Sequence, residues 1–472
     1  MNTMFLAIFL GQIDLFMGLF IIVLILIFAS LLKPKKSILP ERYWWWGIGL
    51  KLIGALFISL IYEYYYRGGD TTMYHLGGKT IYESLGDSFF AWFELVFVGK
   101  DNIDPNVYIN HARKIYFWGD EPTYFVCRVL GITNLITFGS YMGNAFLFSF
   151  ISFLGSWCML LGLARMFPHI KRYLFLGVFC VPSVVVWGSG IFKDTLTFAA
   201  LGFMIWAFLN ITIFRRKFVL SWIVLALAVL VIQLVKIYIL LSIAPALILW
   251  VLLIYKDKFK NAFVRFVIGP FVFAMAFGGG FYAISYFGQQ SQRYNLESLA
   301  YTAETTARWL SYMSAVDGGS GYSLGDFDYS TTGMLRKALP AVNVTLFRPY
   351  LWEVKNITML MAALESFALL CFTIYVFYKR GIARSFAQMI SEPTILSFLV
   401  YSLIFAFAIG ISTYNFGSLV RYKIPMLPFY VIGLVLILYP KPKRVVRKRV
   451  RIIRKPKEVE SFVLPNNRLE WK

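Results

Sequence analysis

Residues 218–255 read FVLSWIVLALAVLVIQLVKIYILLSIAPALILWVLLIY, and Lys236 is the one charged side chain in the stretch. An apolar run of about 20 residues makes a helix long enough to cross a hydrocarbon core of roughly 30 Å. This run is nearly twice that length, with its lysine near the middle. It reads as two spans, 218–235 and 237–255, a tilted pair joined by a tight turn at Lys236. Arg215, Arg216 and Lys217 precede the run, and Lys256, Lys258 and Lys260 follow it.

Further runs of the same kind lie on both sides. Before it come 15–32, 43–62, 140–164, 172–189 and 192–213; after it come 263–284, 357–378, 394–412 and 424–439, giving eleven spans. Backbone polar groups inside lipid must be bonded internally, so such runs are helices, and no segment shows the alternation of a membrane barrel. With 59% of 472 residues hydrophobic and 15% charged, the chain carries more apolar surface than a soluble fold hides. The expected fold class is an all-α polytopic membrane protein with about 11 transmembrane helices and two large outer loops.

Charge sets the expected orientation. Lys33, Lys35 and Lys36 follow the first span, Arg165, Lys171 and Arg172 separate the third and fourth, and Lys379, Arg380 and Arg384 follow the ninth. Ten basic residues lie between Lys441 and Lys457, after the last. Every second loop is basic, and Lys and Arg concentrate on the cytoplasmic side. The N-terminus is therefore expected outside and the C-terminus in the cytoplasm, in a cytoplasmic (inner) membrane. A transmembrane domain with its loops occupies 1–440 and a basic tail 441–472. The formal net charge of +22 is then a topology signal and not a nucleic-acid signal. The partner it implies is membrane lipid, with the tail against anionic headgroups. Four cysteines show no metal spacing, and the N-terminus lacks the basic start and cleavage site of a signal peptide, so the first span reads as retained.

The long polar segments 63–139 and 285–356 both fall on the expected outer side. The first opens on Tyr64–Tyr65–Tyr66, an interfacial aromatic belt. Phe89–Val98 within it is apolar and too short to span, which suits a helix lying along the interface. The second contains the glycine- and serine-rich run Gly318–Gly325, suited to a flexible loop over a site.

Four sets of residues could carry chemistry. Gly68–Gly69–Asp70–Thr71–Thr72–Met73–Tyr74–His75 presents Asp70 just beyond the second span. That carboxylate reads as a general base or a divalent-cation ligand, or plainly as a helix cap. Pro182–Ser183–Val184–Val185–Val186–Trp187–Gly188–Ser189–Gly190–Ile191–Phe192–Lys193–Asp194 joins two spans and leaves Asp194 at the mouth of the next. A charge at that depth faces an aqueous cavity or pairs locally. Lys236, Arg348 and Arg421 are cations on the side where the positive-inside rule does not ask for them. A guanidinium fork suits phosphate, although each can equally be an isolated interfacial residue. Glu365 lies about eight residues into the ninth span, where a carboxylate is functional or paired within the bundle.

Together these stretches resemble bacterial multi-spanning glycosyltransferases of the GT-C type and O-antigen-polymerase-like envelope polysaccharide proteins. The likeness rests on Gly-Gly-Asp-Thr with Tyr74, on Pro182 to Asp194, on Phe347–Arg348–Pro349–Tyr350–Leu351–Trp352–Glu353 with Glu365, and on Asn415–Phe416–Gly417–Ser418–Leu419–Val420–Arg421–Tyr422–Lys423–Ile424–Pro425. These cover about a tenth of the chain, and the acidic loop follows the second span where that of GT-C enzymes follows the first. The resemblance implies transfer of a sugar or glycan from a polyprenyl-phosphate-linked donor on the outer side. In that picture Asp70, Asp194 and Glu365 are catalytic or orienting carboxylates. Lys236, Arg348 and Arg421 bind phosphate, and Tyr74, Trp187 and Trp352 contact sugar or lipid. No cofactor is required, with a divalent cation at Asp70 as the alternative. The rival readings are a lipid or glycan transporter (flippase) and a non-catalytic envelope-assembly scaffold.

Overall fold

The computed structural model describes residues 11–34, 36–255, 320–325 and 331–441, with Glu304, Thr305, Arg308, Trp309 and Tyr312. The chain divides into a compact unit, Met1–Pro440, and a second unit, Lys441–Lys472. The expected span 263–284 and the basic tail beyond Lys441 lie outside the described residues.

The compact unit is all-helical among the described residues, apart from an isolated antiparallel bridge between Gly321 and Asn415. It opens with α1 (Gln12–Leu32) and α2 (Glu41–Leu60), the latter continued by a π-helical turn to Tyr65. Four helices follow, α3 (Asp70–Asp87), α4 (Phe89–Phe97), α5 (Pro105–Asn110) and α6 (Glu121–Thr137). Next come α7 (Tyr141–Met166), α8 (Lys171–Phe179), α9 (Pro182–Val186), α10 (Lys193–Leu209, with a π-helical turn to Phe214) and α11 (Phe218–Tyr255). The last group is α12 (Thr331–Arg336), α13 (Ala338–Phe347), α14 (Ile357–Arg380), α15 (Ile382–Ser391), α16 (Pro393–Ser412), α17 (Phe416–Tyr422) and α18 (Leu427–Leu438).

Seven of these helices, two of them with their π-helical turns, are long and apolar enough to cross a membrane: α1, α2, α7, α10, α11, α14 and α16. The pair α17 and α18, bent by 67°, makes an eighth if it is one broken span. This is the architecture of a multi-pass membrane protein.

The 38-residue α11 is a hairpin. Lys236 has non-helical dihedrals (φ −147°, ψ 71°), and its ammonium meets Asp194 at the start of α10. Phe218 follows the far end of α10 after three residues, and Tyr255 Oη donates to Thr212 O at that same far end, 2.6 Å away. Both termini of α11 therefore sit at one end of α10 and its middle at the other. At 1.5 Å per residue each arm is about 27 Å long, the depth of a hydrocarbon core.

Other segments differ from the hydropathy reading. The expected span 172–189 is broken: α8 ends at Phe179 and α9 begins at Pro182. Proline lacks the N–H that would continue the ladder and biases the residue before it away from the helical region. The segment 63–139, expected as a loop holding one interfacial helix, is itself a helical layer. Its two long helices cross at glycines: a Cβ on Gly78 would lie 2.2 Å from Leu130 Cβ, and one on Gly131 2.5 Å from Ile81 Cγ2. The apolar segment expected at the interface forms the helix α4, with Phe89, Phe90, Phe93 and Phe97 exposed and Trp92 and Leu95 buried.

Contacts sort the connecting segments into two ends. Lys171 Nζ donates to Ile38 O at 2.6 Å, His169 Nε2 lies 3.2 Å from Tyr439 O, and Arg380 Nε donates to Ile437 O at 3.0 Å. The Arg165 guanidinium lies 6.0 Å from the Phe214 ring. Among the described residues the basic loops thus share one end of the bundle, and the middle of the α11 hairpin is at the opposite end.

The tightest pairing is α7 against α10, where small residues let the backbones touch. A Cβ on Gly202 would lie 2.1 Å from the Gly155 carbonyl oxygen, which is backbone and cannot swing away. Gly202→Ala is expected to destabilise the protein by about 1–3 kcal/mol. Gly86→Ala, whose Cβ meets nothing within 4 Å, is the control. Thermal unfolding in detergent, read by the monodisperse fraction that survives heating, checks this. Equal melting of the two variants would remove the α7–α10 contact as a determinant of the fold.

Candidate functional site

The site begins where α2 leaves its span. Arg67 (φ 53°), Gly68 (φ 134°) and Gly69 (φ 123°) are all left-handed, which reverses the chain and starts α3 at Asp70. Glycine is needed at 69 on two counts, its dihedral and a Cβ position 3.0 Å from Tyr62 Cε1. The turn sets Asp70 beside Tyr62. Asp194 is the second residue of α10, where a helix N-terminus favours a carboxylate, and its side chain is 1% exposed. Arg421 projects from α17, whose first turn is capped by Asn415 accepting from Ser418 N at 3.1 Å.

Four helices bring these groups together. Arg421 Nη1 donates to Asp70 Oδ2 at 2.9 Å and lies 3.4 Å from Tyr62 Oη. Its Nη2 is 3.7 Å from Asp194 Oδ2. Asp194 accepts from Lys236 Nζ through its other oxygen at 2.5 Å. The guanidinium carbon lies 4.6 Å from the Phe192 ring centre and 5.7 Å from that of Trp187, and Lys236 Nζ is 4.7 Å from the Tyr422 ring centre. The result is an alternating row, Asp70–Arg421–Asp194–Lys236, with two charges of each sign. Asp194 and Lys236 are buried, whereas the Asp70 side chain is 46% exposed. Beside the row, Lys193 hydrogen-bonds Thr123 and lies 3.5 Å from Asp120 Oδ2.

A second cluster fixes the neighbouring wall. Glu365 accepts from Ser183 N at 2.6 Å and Ser183 Oγ at 2.8 Å, and its Oε1 is 3.4 Å from Lys423 Nζ. At the other end of α9, Lys51 Nζ donates to Val184 O at 3.0 Å and Gly188 O at 2.9 Å. A carboxylate thus takes an orphan N–H at the start of the short helix, and an ammonium takes orphan carbonyls at its end. Both side chains are buried. Together they hold Trp187 in place.

Arg421, Tyr62, Trp187 and Glu365 line a cavity of about 380 Å³. Asn356 and Asn415 add to its polar lining, and Phe57, Ile61, Met359 and Ala362 contribute apolar lining. The cavity therefore has a mixed polar and apolar lining that includes Arg421.

The remaining expected site residues are placed differently. Arg348 grips Glu353, with Nε donating to Oε1 at 3.1 Å and Oε2 at 3.0 Å and Nη2 donating to Oε1. Partial burial pushes the Glu353 carboxyl up, but hydrogen bonds from Arg348 and the Tyr350 N–H outweigh it and hold the group below its ordinary range. Arg348 also lies 5.4 Å from the Phe416 ring centre, at the start of α17, and it does not line the cavity. Its contacts brace the helix that carries Arg421. Trp352 is 81% exposed and stacks on Tyr350. Tyr74 is buried against Phe117. Among the described residues no three His, Cys, Asp or Glu side chains gather at ligand distance, and the charge next to Asp70 is Arg421.

Sequence reasoning did not single out Tyr62, Asp120 or Lys51 as site residues. For Lys51 the signal was present: a lysine ten residues into an apolar span is itself an intramembrane charge. Tyr62 carried no such signal, because an interfacial tyrosine is common. Compared with family models, curated proteins and solved structures, the chain has no match, so its reading rests on this geometry.

Proposed function

We propose that the protein is a membrane-embedded glycosyltransferase or polysaccharide polymerase that uses a polyprenyl-phosphate-linked donor on the outer side of a cytoplasmic membrane. The observation that carries the reading is the row Asp70–Arg421–Asp194–Lys236 beside that cavity. A guanidinium backed by a buried carboxylate and lining a cavity of mixed polar and apolar character suits a phosphate on a lipid chain.

The orientation belongs to the same proposal. The row lies at the end opposite the loops rich in lysine and arginine, and those loops are cytoplasmic by the positive-inside rule. Counting the α11 hairpin as two crossings, α8 with α9 as one broken crossing, α17 with α18 as one, and 263–284 as one brings the spans to eleven. The N-terminus is then outside and the C-terminus inside.

In the reaction, the acceptor hydroxyl oxygen attacks the anomeric carbon and the bond from that carbon to the carrier phosphate oxygen breaks. The hydroxyl proton passes to the Asp70 carboxylate, and the electron pair leaves with the phosphate, whose growing charge faces Arg421. The row is neutral as it stands, so an incoming phosphate competes with Asp70 for Arg421. Binding thereby releases the carboxylate that acts as base. Asp194, fixed by Lys236, keeps the guanidinium aimed.

The test uses purified protein in vesicles supplied with a polyprenyl-linked glycan extract. Wild type is expected to form a new glycosidic product, and Asp70→Asn to lose about 10²–10⁴ in rate. Asp70→Asn should also bind polyprenyl monophosphate at least as tightly as wild type, because an amide competes less well for Arg421. Intact lipid moved between leaflets without a new bond would replace this reading with a transporter. Full activity in Asp70→Asn would remove the base.

A further inference from the structure

A second and larger cavity, about 720 Å³, lies at the basic end of the bundle between α2 and α8. Arg42, Trp46, Gly49 and Ile53 line it from α2, and Arg172 and Leu176 from α8. From Arg42 to Ile53 along α2 the groove runs roughly 16 Å at 1.5 Å per residue. Tyr43 stacked on Phe175, ring centres 4.6 Å apart, ties the two helices together beneath it.

The two arginines are uncompensated. Among the described residues no carboxylate lies within ion-pair distance of either, and Glu41, the acid beside Arg42 in the chain, is taken by Lys33 at 2.5 Å. Each is the second residue of its helix, where the helix dipole disfavours a cation. The Arg42 guanidinium lies 5.4 Å from the Trp46 ring centre and 5.7 Å from that of Tyr43, held where aromatic side chains mark a membrane–water boundary. Two unpaired guanidinium groups lining an apolar groove with exposed Ile53 and Leu176 ask for one kind of occupant: an anion carrying a hydrocarbon chain.

We propose that this groove is a binding site for an anionic phospholipid, its phosphate between Arg42 and Arg172 and an acyl chain along Gly49 toward Ile53. The site is separate from the Asp70–Arg421 row and stands whether or not that row transfers sugar. A phosphate clamped there would pin the start of α2 to the start of α8. α2 carries Lys51 and α8 leads into α9, so the lipid would brace the wall on which Trp187 is mounted.

Gly49 provides a clean probe, because a Cβ built on it meets nothing within 4 Å. Gly49→Leu puts a branched side chain into the groove from a position where the Cβ itself meets no neighbour. The experiment is native mass spectrometry of the full chain released from nanodiscs of phosphatidylcholine with phosphatidylglycerol. Wild type is expected to retain one phosphatidylglycerol with about 25-fold preference, from about fivefold per arginine. Arg42→Gln with Arg172→Gln should bring the preference close to one, and Gly49→Leu should lose the bound lipid of either type. Melting in pure phosphatidylcholine shows that the variants fold; if the double variant does not, Gly49→Leu decides alone. An unchanged preference in the double variant, or full retention in Gly49→Leu, overturns the site. Displacement of the lipid by inorganic phosphate at equal concentration would also overturn it, since the groove would then contribute nothing.

Discussion

Arg421→Ala is expected to lower glycan transfer by about a hundred- to a thousandfold while leaving the protein folded. The magnitude is that of losing one preorganised donor facing charge that develops in a transition state. Folding survives because the groups left behind have somewhere to go. Asp70 is half exposed and returns to water, and Asp194 keeps Lys236 at 2.5 Å. Arg421→Lys should not rescue. The guanidinium reaches Tyr62, Asp70 and Asp194 at once, with its face on Phe192, and one ammonium cannot reproduce that fork. Initial rates against donor concentration in vesicles provide the measurement, with Arg348→Ala beside it. Arg348 is occupied by Glu353 and braces α17 at Phe416, so its loss should cost stability more than transfer. Equal rates for Arg421→Ala and wild type would take the phosphate role away from Arg421.

These expectations rest on residues that the sequence exposed to very different degrees. Long apolar runs are legible because lipid demands them: the expected 140–164, 192–213 and 394–412 appear as Tyr141–Met166, Lys193–Phe214 and Pro393–Ser412. The loop charges were equally legible, since alternation alone places Asp70, Asp194, Lys236 and Arg421 at one end. What hydropathy cannot see is a break that keeps its composition. Pro182 divides 172–189 without making it polar, and Lys423 is fully buried at the bend between α17 and α18 while looking like a loop residue. The helical layer of 70–137 was hidden for another reason. Its two long helices meet through glycine contacts at Gly78 and Gly131, which depend on what lies opposite, and neither is among the helices long and apolar enough to read as a span.

The candidate site shows the same division. Residue types could be named from one-letter patterns, but partners could not. Arg348 and Arg421 look alike in sequence, each a basic residue followed within four positions by proline, near the mouth of a span. One is neutralised by a carboxylate five residues along its own chain, the other by carboxylates from two distant helices. Only the second arrangement makes a place where a ligand can compete with the protein for the cation. The distinction lies in long-range packing, and a single sequence does not carry it.

Asp194→Ala is expected to destabilise the protein by about 3–5 kcal/mol, the largest stability effect of any single change at the site. Asp194 is 1% exposed and Lys236 7% exposed, so removing the carboxylate strands an ammonium among the rings of Tyr238 and Tyr422. Lys236 is also the turn of the α11 hairpin, so its displacement moves two membrane-length arms. Changing both partners together is a different matter. Asp194→Leu with Lys236→Met replaces the pair by apolar groups of similar volume, which for buried pairs is often close to neutral in stability. The double variant should therefore melt near wild type, yet transfer poorly, because Arg421 loses the fixed carboxylate 3.7 Å from its Nη2. Thermal unfolding in detergent and transfer rates in vesicles, measured on both variants, separate the two roles. If the double variant melts as low as Asp194→Ala, the pair is needed for folding itself. If it melts high and transfers normally, Asp194 has no part in aiming Arg421, and the row works through Asp70 and Arg421 alone.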